Sequence, residues 1–152
     1  MAIVYREIEA ADADAMIEFL TAVGAETDNL SFSRDSLKLT KDSEERFIKR
    51  FKSNSKNMML VAECNGEILG NASIEREKTA RYSHRAELSI VVKQKFWGQG
   101  IGTRLMEMLV DFAKKSCAEI LYLEVRCDNE RALNLYRKFG FETIGIYNNF
   151  SK

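Results

Sequence analysis

Between Phe96 and Gly102 the chain reads Phe-Trp-Gly-Gln-Gly-Ile-Gly, three alternate glycines placed where a β-branched run hands over to an amphipathic segment. This feature constrains the fold most. The first turn of a helix leaves backbone N–H groups unpaired and carries partial positive charge, and glycines let an anion approach the backbone with no Cβ in the way. The stretch is therefore expected to be a strand-to-helix phosphate cradle. Charge distribution agrees with it: the 23 basic and 23 acidic residues cancel overall, but residues 1–76 hold 10 against 14 and residues 77–152 hold 13 against 9. The halves thus carry −4 and +4, with the glycines in the positive half. A total of zero suggests neither a nucleic-acid partner nor a membrane surface.

The rest of the chain supplies a mixed sheet. Ile3 to Ile8 reads as a first strand, after which Asp12 or Asp14 can cap a helix carrying Met16, Ile17, Phe19, Leu20 and Val23. Residues Thr27 to Asp42 are polar and mixed, and Ser43 to Phe51 reads as a second helix with Phe47, Ile48 and Phe51 on one face. Met58 to Cys64 and Glu67 to Ile74 are apolar-rich runs joined by Asn65-Gly66, the dipeptide suited to a two-residue type I′ turn. Arg85 to Val92 forms a further strand, with Leu88, Ile90 and Val92 on one face and Glu87, Ser89 and Val91 on the other.

A helix from Gly100 to Lys115 follows, its apolar stripe being Ile101, Leu105, Met108, Leu109 and Phe112. Ile120 to Val125 reads as a short strand, Asn129 to Phe139 as a helix closed by Gly140, and Phe141 to Ile146 as a last strand. Hairpins first and alternating units afterwards imply an α/β (α+β) domain, one mixed sheet with helices on both faces. With 152 residues, no proline and no linker or repeat, the whole chain, 1–152, is expected to be a single domain.

Several chemistries are excluded or disfavoured. Cys64, Cys117 and Cys127 lack metal or disulfide spacing and read as reduced thiols of a cytoplasmic protein. One histidine, His84, leaves little for a histidine metal site or a Ser/His/Asp triad, and no metal is expected. No apolar run approaches the roughly 20 residues that span a bilayer. The dinucleotide fingerprint needs glycines at relative positions one, three and six, whereas Gly98, Gly100 and Gly102 fall at one, three and five. A nucleoside-triphosphate loop fails because no Gly-Lys-Ser/Thr follows.

What remains resembles the GNAT superfamily of acyl-coenzyme A dependent N-acetyltransferases. Its signature, Arg/Gln-x-x-Gly-x-Gly/Ala at the start of the central helix, is matched by Trp97 to Gly102, and a second signature by Asn129, Ala132, Leu135, Tyr136, Gly140 and Phe141. Trp97 departs from the pattern, standing where Arg or Gln is usual. The resemblance implies that the fourth and fifth strands splay apart to hold acetyl-CoA. Its pantetheine arm would pair with the backbone of Ile90, Val91 and Val92. Its pyrophosphate would sit on Trp97, Gly98, Gln99, Gly100, Ile101, Gly102 and Thr103, with Arg104 or Lys95 adding charge. Asn129 and Ala132 would meet the pantetheine arm.

The resemblance also implies the chemistry. A lysine-like amine is neutral in only roughly 0.04% of molecules at pH 7, a handicap of about 4.6 kcal/mol. Glu87, on the face opposite Leu88, is the candidate base, acting through water. Tyr136 is the candidate donor to the departing thiolate, where hydrogen bonding is more favourable than full proton transfer. The expected activity is acetyl transfer to a primary amine of a small molecule or peptide by direct attack. The alternative is a non-catalytic acyl-CoA-binding sensor or assembly module of the same fold. Members commonly continue into a seventh strand; after Ile146 the expectation is either that this sequence is truncated before it or that the strand comes from elsewhere, for instance a neighbouring subunit. An edge left open that way favours a homodimer.

Overall fold

The Asn65-Gly66 turn organises the sheet. In the computed structural model, which describes residues 2–26 and 39–146, Asn65 and Gly66 both take positive φ, 51° and 82°. A type I′ turn demands that pair of angles, and its twist matches that of the strands it joins. The hairpin consists of β2 (Met58–Cys64) and β3 (Glu67–Arg76), flanked by β1 (Val4–Glu7) on one side and β4 (Arg85–Val92) on the other. These four are antiparallel, and β5 (Ile120–Tyr122) joins β4 in parallel to give the order β1-β2-β3-β4-β5.

Helices cover both faces, as an α/β mixed sheet requires. Helix α1 (Ala13–Glu26) and helix α2 (Lys41–Lys52) cover one face. Ile8, Met16, Phe19, Val23, Ile48 and Phe51 close there over Met59, Val61 and Ile68. Helices α3 (Ile101–Lys115) and α4 (Glu130–Lys138) cover the opposite face, where Leu105, Met106, Leu109 and Tyr136 pack on Leu60, Ala72, Ile74, Ala86 and Leu88. Strand β2 is apolar at successive positions because it is buried on both sides. Gly70 sets the depth of α3: a Cβ there would meet Ile101 Cγ2 at 3.1 Å and Leu105 Cδ1 at 3.3 Å.

Several boundaries differ from the sequence reading, each for a local reason. Asp12 does not begin α1 directly but closes a short 3-10 turn before it, accepting the Glu9 N–H at 2.7 Å. Helix α2 begins earlier than Ser43, because Thr40 and Ser43 cap one another reciprocally at 3.1 and 3.0 Å. The buried stripe of α3 includes Met106 and Ala113, while Met108 and Phe112 are half-buried. Phe141 to Ile146 is not a strand: it pairs with no described strand, and Ile144 and Ile146 are 97% and 67% exposed. Extended chain becomes a strand only through a ladder, and β5, three residues long, ends its ladder at β4. The expectations placed on residues 27–38 and 147–152 lie outside the described residues.

Arg76 ties the sheet to what surrounds it. Its guanidinium is buried and donates to the Ser83 and Ser116 carbonyls, each at 3.0 Å. It therefore holds the segment entering β4 and the segment leaving α3 in one place, which fixes where β4 and β5 start.

Candidate functional site

Strand β4 has an open edge, and its position follows from the register. Lys93 N–H donates to Leu69 and Glu77 N–H donates to Arg85, so odd-numbered residues of β4 exchange hydrogen bonds with β3. Even-numbered residues turn their amides and carbonyls the other way. The His84 carbonyl accordingly accepts from Glu119 and Ile120 at the start of β5. The parallel ladder then runs from Arg85 opposite Ile120 to Glu87 opposite Tyr122 and stops. Past that point no described strand lies beside β4, so the carbonyl of Leu88 and the outward groups of Ile90 and Val92 border a gap. Val91 turns its own amide and carbonyl to Asn71 of β3.

The glycine loop lies at the end of that edge. Gly98 and Gly100 have φ of 78° and 83°, a conformation L side chains rarely adopt, and a Cβ at either would meet no atom within 4 Å. Space in front of the loop is thus open. Gly100 is the N-cap of α3 and offers no side-chain cap; the first intrahelical bond reaches its carbonyl from Arg104 at 3.0 Å. The amides of Ile101, Gly102 and Thr103 consequently have no partner within the helix. Gly102 serves packing, since a Cβ there would meet Leu135 Cδ2 of α4 at 3.3 Å. Lys95 lies 4.0 Å from Glu67, and Arg104 is exposed on the first turn.

Trp97 acquires a structural role that its position in the sequence does not reveal. Its indole Nε1–H donates to the Val92 carbonyl at 2.9 Å, and the Arg131 guanidinium lies 4.3 Å from its ring centroid. Asn129 caps α4 through Oδ1, which accepts the Ala132 N–H at 3.3 Å; its Nδ2 remains a donor.

The sheet separates the two candidate catalytic side chains. Tyr136 is 8% exposed in the cluster formed with Leu88 and α3, edge-on to Phe141 at 6.1 Å, and burial raises its pKa. Glu87 points to the opposite face, where Glu75 is its cross-strand partner. Burial pushes the Glu87 carboxyl up, and the charges of Glu124, Glu75 and Glu77 push it further. Tyr122, opposite Glu87 on β5, donates its hydroxyl to Glu77, and Arg85 lies over both Tyr122 and Tyr82 at 5.5 and 4.6 Å. Glu75, Glu77 and Tyr122 are not recognisable in the sequence as neighbours of Glu87, because the β3–β4–β5 register brings them there. The even spacing of Glu75 on β3, Glu77 just past its end and Glu87 on β4 was the available signal.

An open strand edge running into an uncapped, glycine-led helix start, with a buried tyrosine on the next helix, matches a known family. The sequence model described as "Acetyltransferase (GNAT) family" fits residues 25–141. The chain belongs to the GNAT acetyltransferase family. Among curated relatives, the N-alpha-acetyltransferase RimI of Mycobacterium tuberculosis is 38% identical over 91 residues, 59% of this chain and 55% of that protein. This GNAT chain spans about half the length of the curated relatives it matches. A GNAT-family acetyltransferase from Streptococcus pneumoniae superposes with a TM-score of 0.88 at 33% identity, over 95% of this chain and 87% of that one. The fold is also that of yncA from Salmonella typhimurium, solved with its cofactor acetyl-CoA, with a TM-score of 0.84 at 19% identity over 100% and 88% of the two chains.

Proposed function

We propose that this protein is an acetyl-CoA dependent N-acetyltransferase that passes the acetyl group directly to a primary amine of a small molecule or peptide. One observation carries the reading: the open edge of β4 from Leu88 to Val92 ends at the uncapped first turn of α3. The donors fit the two halves of the coenzyme. The carbonyl of Leu88, both groups of Ile90 and the N–H of Val92 suit the amides of a pantetheine arm, and the N–H groups of Ile101, Gly102 and Thr103 suit a pyrophosphate.

When bound, acetyl-CoA supplies an activated thioester. The residues of this chain then divide the work across the gap between β4 and β5. Glu87 and its neighbouring carboxylates favour the approach of an ammonium, and Glu87 takes its proton through water. The raised pKa makes Glu87 a better base than an ordinary carboxylate near 4.3. The Ile90 N–H, turned to the open edge, would donate a hydrogen bond to the oxyanion developing on an acetyl carbonyl held there. From the other face the Tyr136 hydroxyl donates to the departing sulfur and limits its charge build-up.

The test is amine-dependent release of free thiol from acetyl-CoA over a panel of polyamines, amino acids and peptides, with acetylated product identified by mass. Tyr136→Phe is expected to lower kcat about 10- to 100-fold with little change in coenzyme KM. Tight coenzyme binding without turnover on any amine supports a binding module instead.

A further inference from the structure

Trp97 joins three parts of the site that are distant in sequence. It sits at the head of the glycine loop, its indole N–H ends on the Val92 carbonyl at the tip of the open β4 edge, and its ring face carries Arg131 from the first turn of α4. Among the described residues no strand pairs with the Val92 carbonyl on that side, and the indole supplies its hydrogen bond. Arg131 is exposed, and none of the ion pairs among the described residues includes it. A guanidinium held over an indole face by a cation–π contact can still present N–H groups to an anion. It is held against Trp97, the residue before Gly98, where a Cβ would meet no atom within 4 Å.

We propose that Trp97 and Arg131 form a clasp at the phosphate end of the coenzyme groove: Trp97 is a positioning residue that fixes the glycine loop to β4, and Arg131 is the cation that meets a coenzyme phosphate. Arg131 thereby supplies, from α4, the charge that tryptophan at position 97 does not carry. The inference rests on the acetyl-CoA reading above. It also restricts that reading, since Val92 contributes only its N–H to a pantetheine arm while its carbonyl is occupied.

The experiment uses calorimetric titration of the full chain with CoA, dephospho-CoA and pantetheine across a range of salt concentrations. Arg131→Ala is expected to weaken CoA binding about tenfold at low salt, with the difference from the native protein closing at high salt. Binding of pantetheine, which has no phosphate, stays unchanged. Loss toward CoA alone assigns the contact to the 3′-phosphate, and loss toward dephospho-CoA as well assigns it to the pyrophosphate; both support the clasp.

Trp97→Phe, which keeps the ring but not the N–H, is expected to lose less than Trp97→Ala. The Trp97→Ala/Arg131→Ala double variant is expected to bind no more weakly than the worse single variant, because the two act as a unit. Arg131→Lys, which keeps the charge, retains part of the salt dependence. Trp97 is the sole tryptophan, so CoA is also expected to change the native emission spectrum. Equal weakening toward CoA and pantetheine, an unaltered salt slope, or additive losses in the double variant overturns the clasp. Failure of the native protein to bind CoA at all overturns instead the acetyl-CoA reading beneath it.

Discussion

Replacing Gly100 with alanine separates what the loop does for the fold from what it does for a ligand. At φ 83° the backbone is left-handed, and an L side chain there costs about 1–2 kcal/mol. No contact adds to that cost, because the new Cβ meets nothing within 4 Å. For a protein of this size about 1–2 kcal/mol lowers Tm by about 2–8 °C. Gly66 provides the matched control: its φ is 82°, its Cβ would also meet nothing, and it lies in the β2–β3 turn away from the open edge. Gly66→Ala and Gly100→Ala should therefore lose similar stability in thermal unfolding followed by circular dichroism. They should differ in coenzyme affinity. The Cβ at position 100 occupies the space before the first turn of α3, and CoA binding measured by calorimetry should weaken at least about tenfold, a difference of about 1.4 kcal/mol. Gly66→Ala should bind CoA as the native protein does. Equal CoA affinity in the two variants would refute the cradle, whatever their stabilities.

Three further outcomes follow from the same geometry. Protonation of Glu87 should put a bend in the pH profile of kcat/KM above the usual carboxylate range, activity falling on its acid side; Glu75→Gln removes a like charge and should move that bend to lower pH. Asn129→Ala should cost about 1 kcal/mol through the lost cap of α4, seen as a lower Tm, and should weaken coenzyme binding as well. Arg6 grips Asp12 with two hydrogen bonds of 2.8 Å and holds its carboxyl below the usual carboxylate range. A depressed folded-state pKa gives stability that is present above the unfolded value of about 3.9 and is lost as pH falls through the folded one. Asp12→Asn should thus destabilise the protein at pH 7 and converge with the native protein in strong acid.

What was legible in the sequence was local. The Asn65-Gly66 turn, the glycine-led start of α3 and the Asn129 cap of α4 each announce themselves within a few residues, because their chemistry acts over a few residues. The extent of β5 and the fate of Phe141 to Ile146 were not legible, since a strand exists only by pairing with chain far away in sequence. Thr40 was passed over as a helix start because it adjoins a polar stretch without periodicity. Among the candidate site residues, Glu87 could be placed on the sheet face opposite Leu88 from strand alternation alone. Its companions Glu75, Glu77 and Tyr122 depended on register, and the two interactions of Trp97 depended on how the loop approaches β4 and α4.

The central claim, that coenzyme lies along β4 with its phosphates on the first turn of α3, is tested most directly by a crystal structure of the protein grown with CoA. The expected result has the pantetheine arm hydrogen-bonded to the Ile90 backbone and pyrophosphate oxygens within hydrogen-bond distance of the Gly102 and Thr103 amides. Coenzyme bound elsewhere, or pyrophosphate held without those amides, would contradict it.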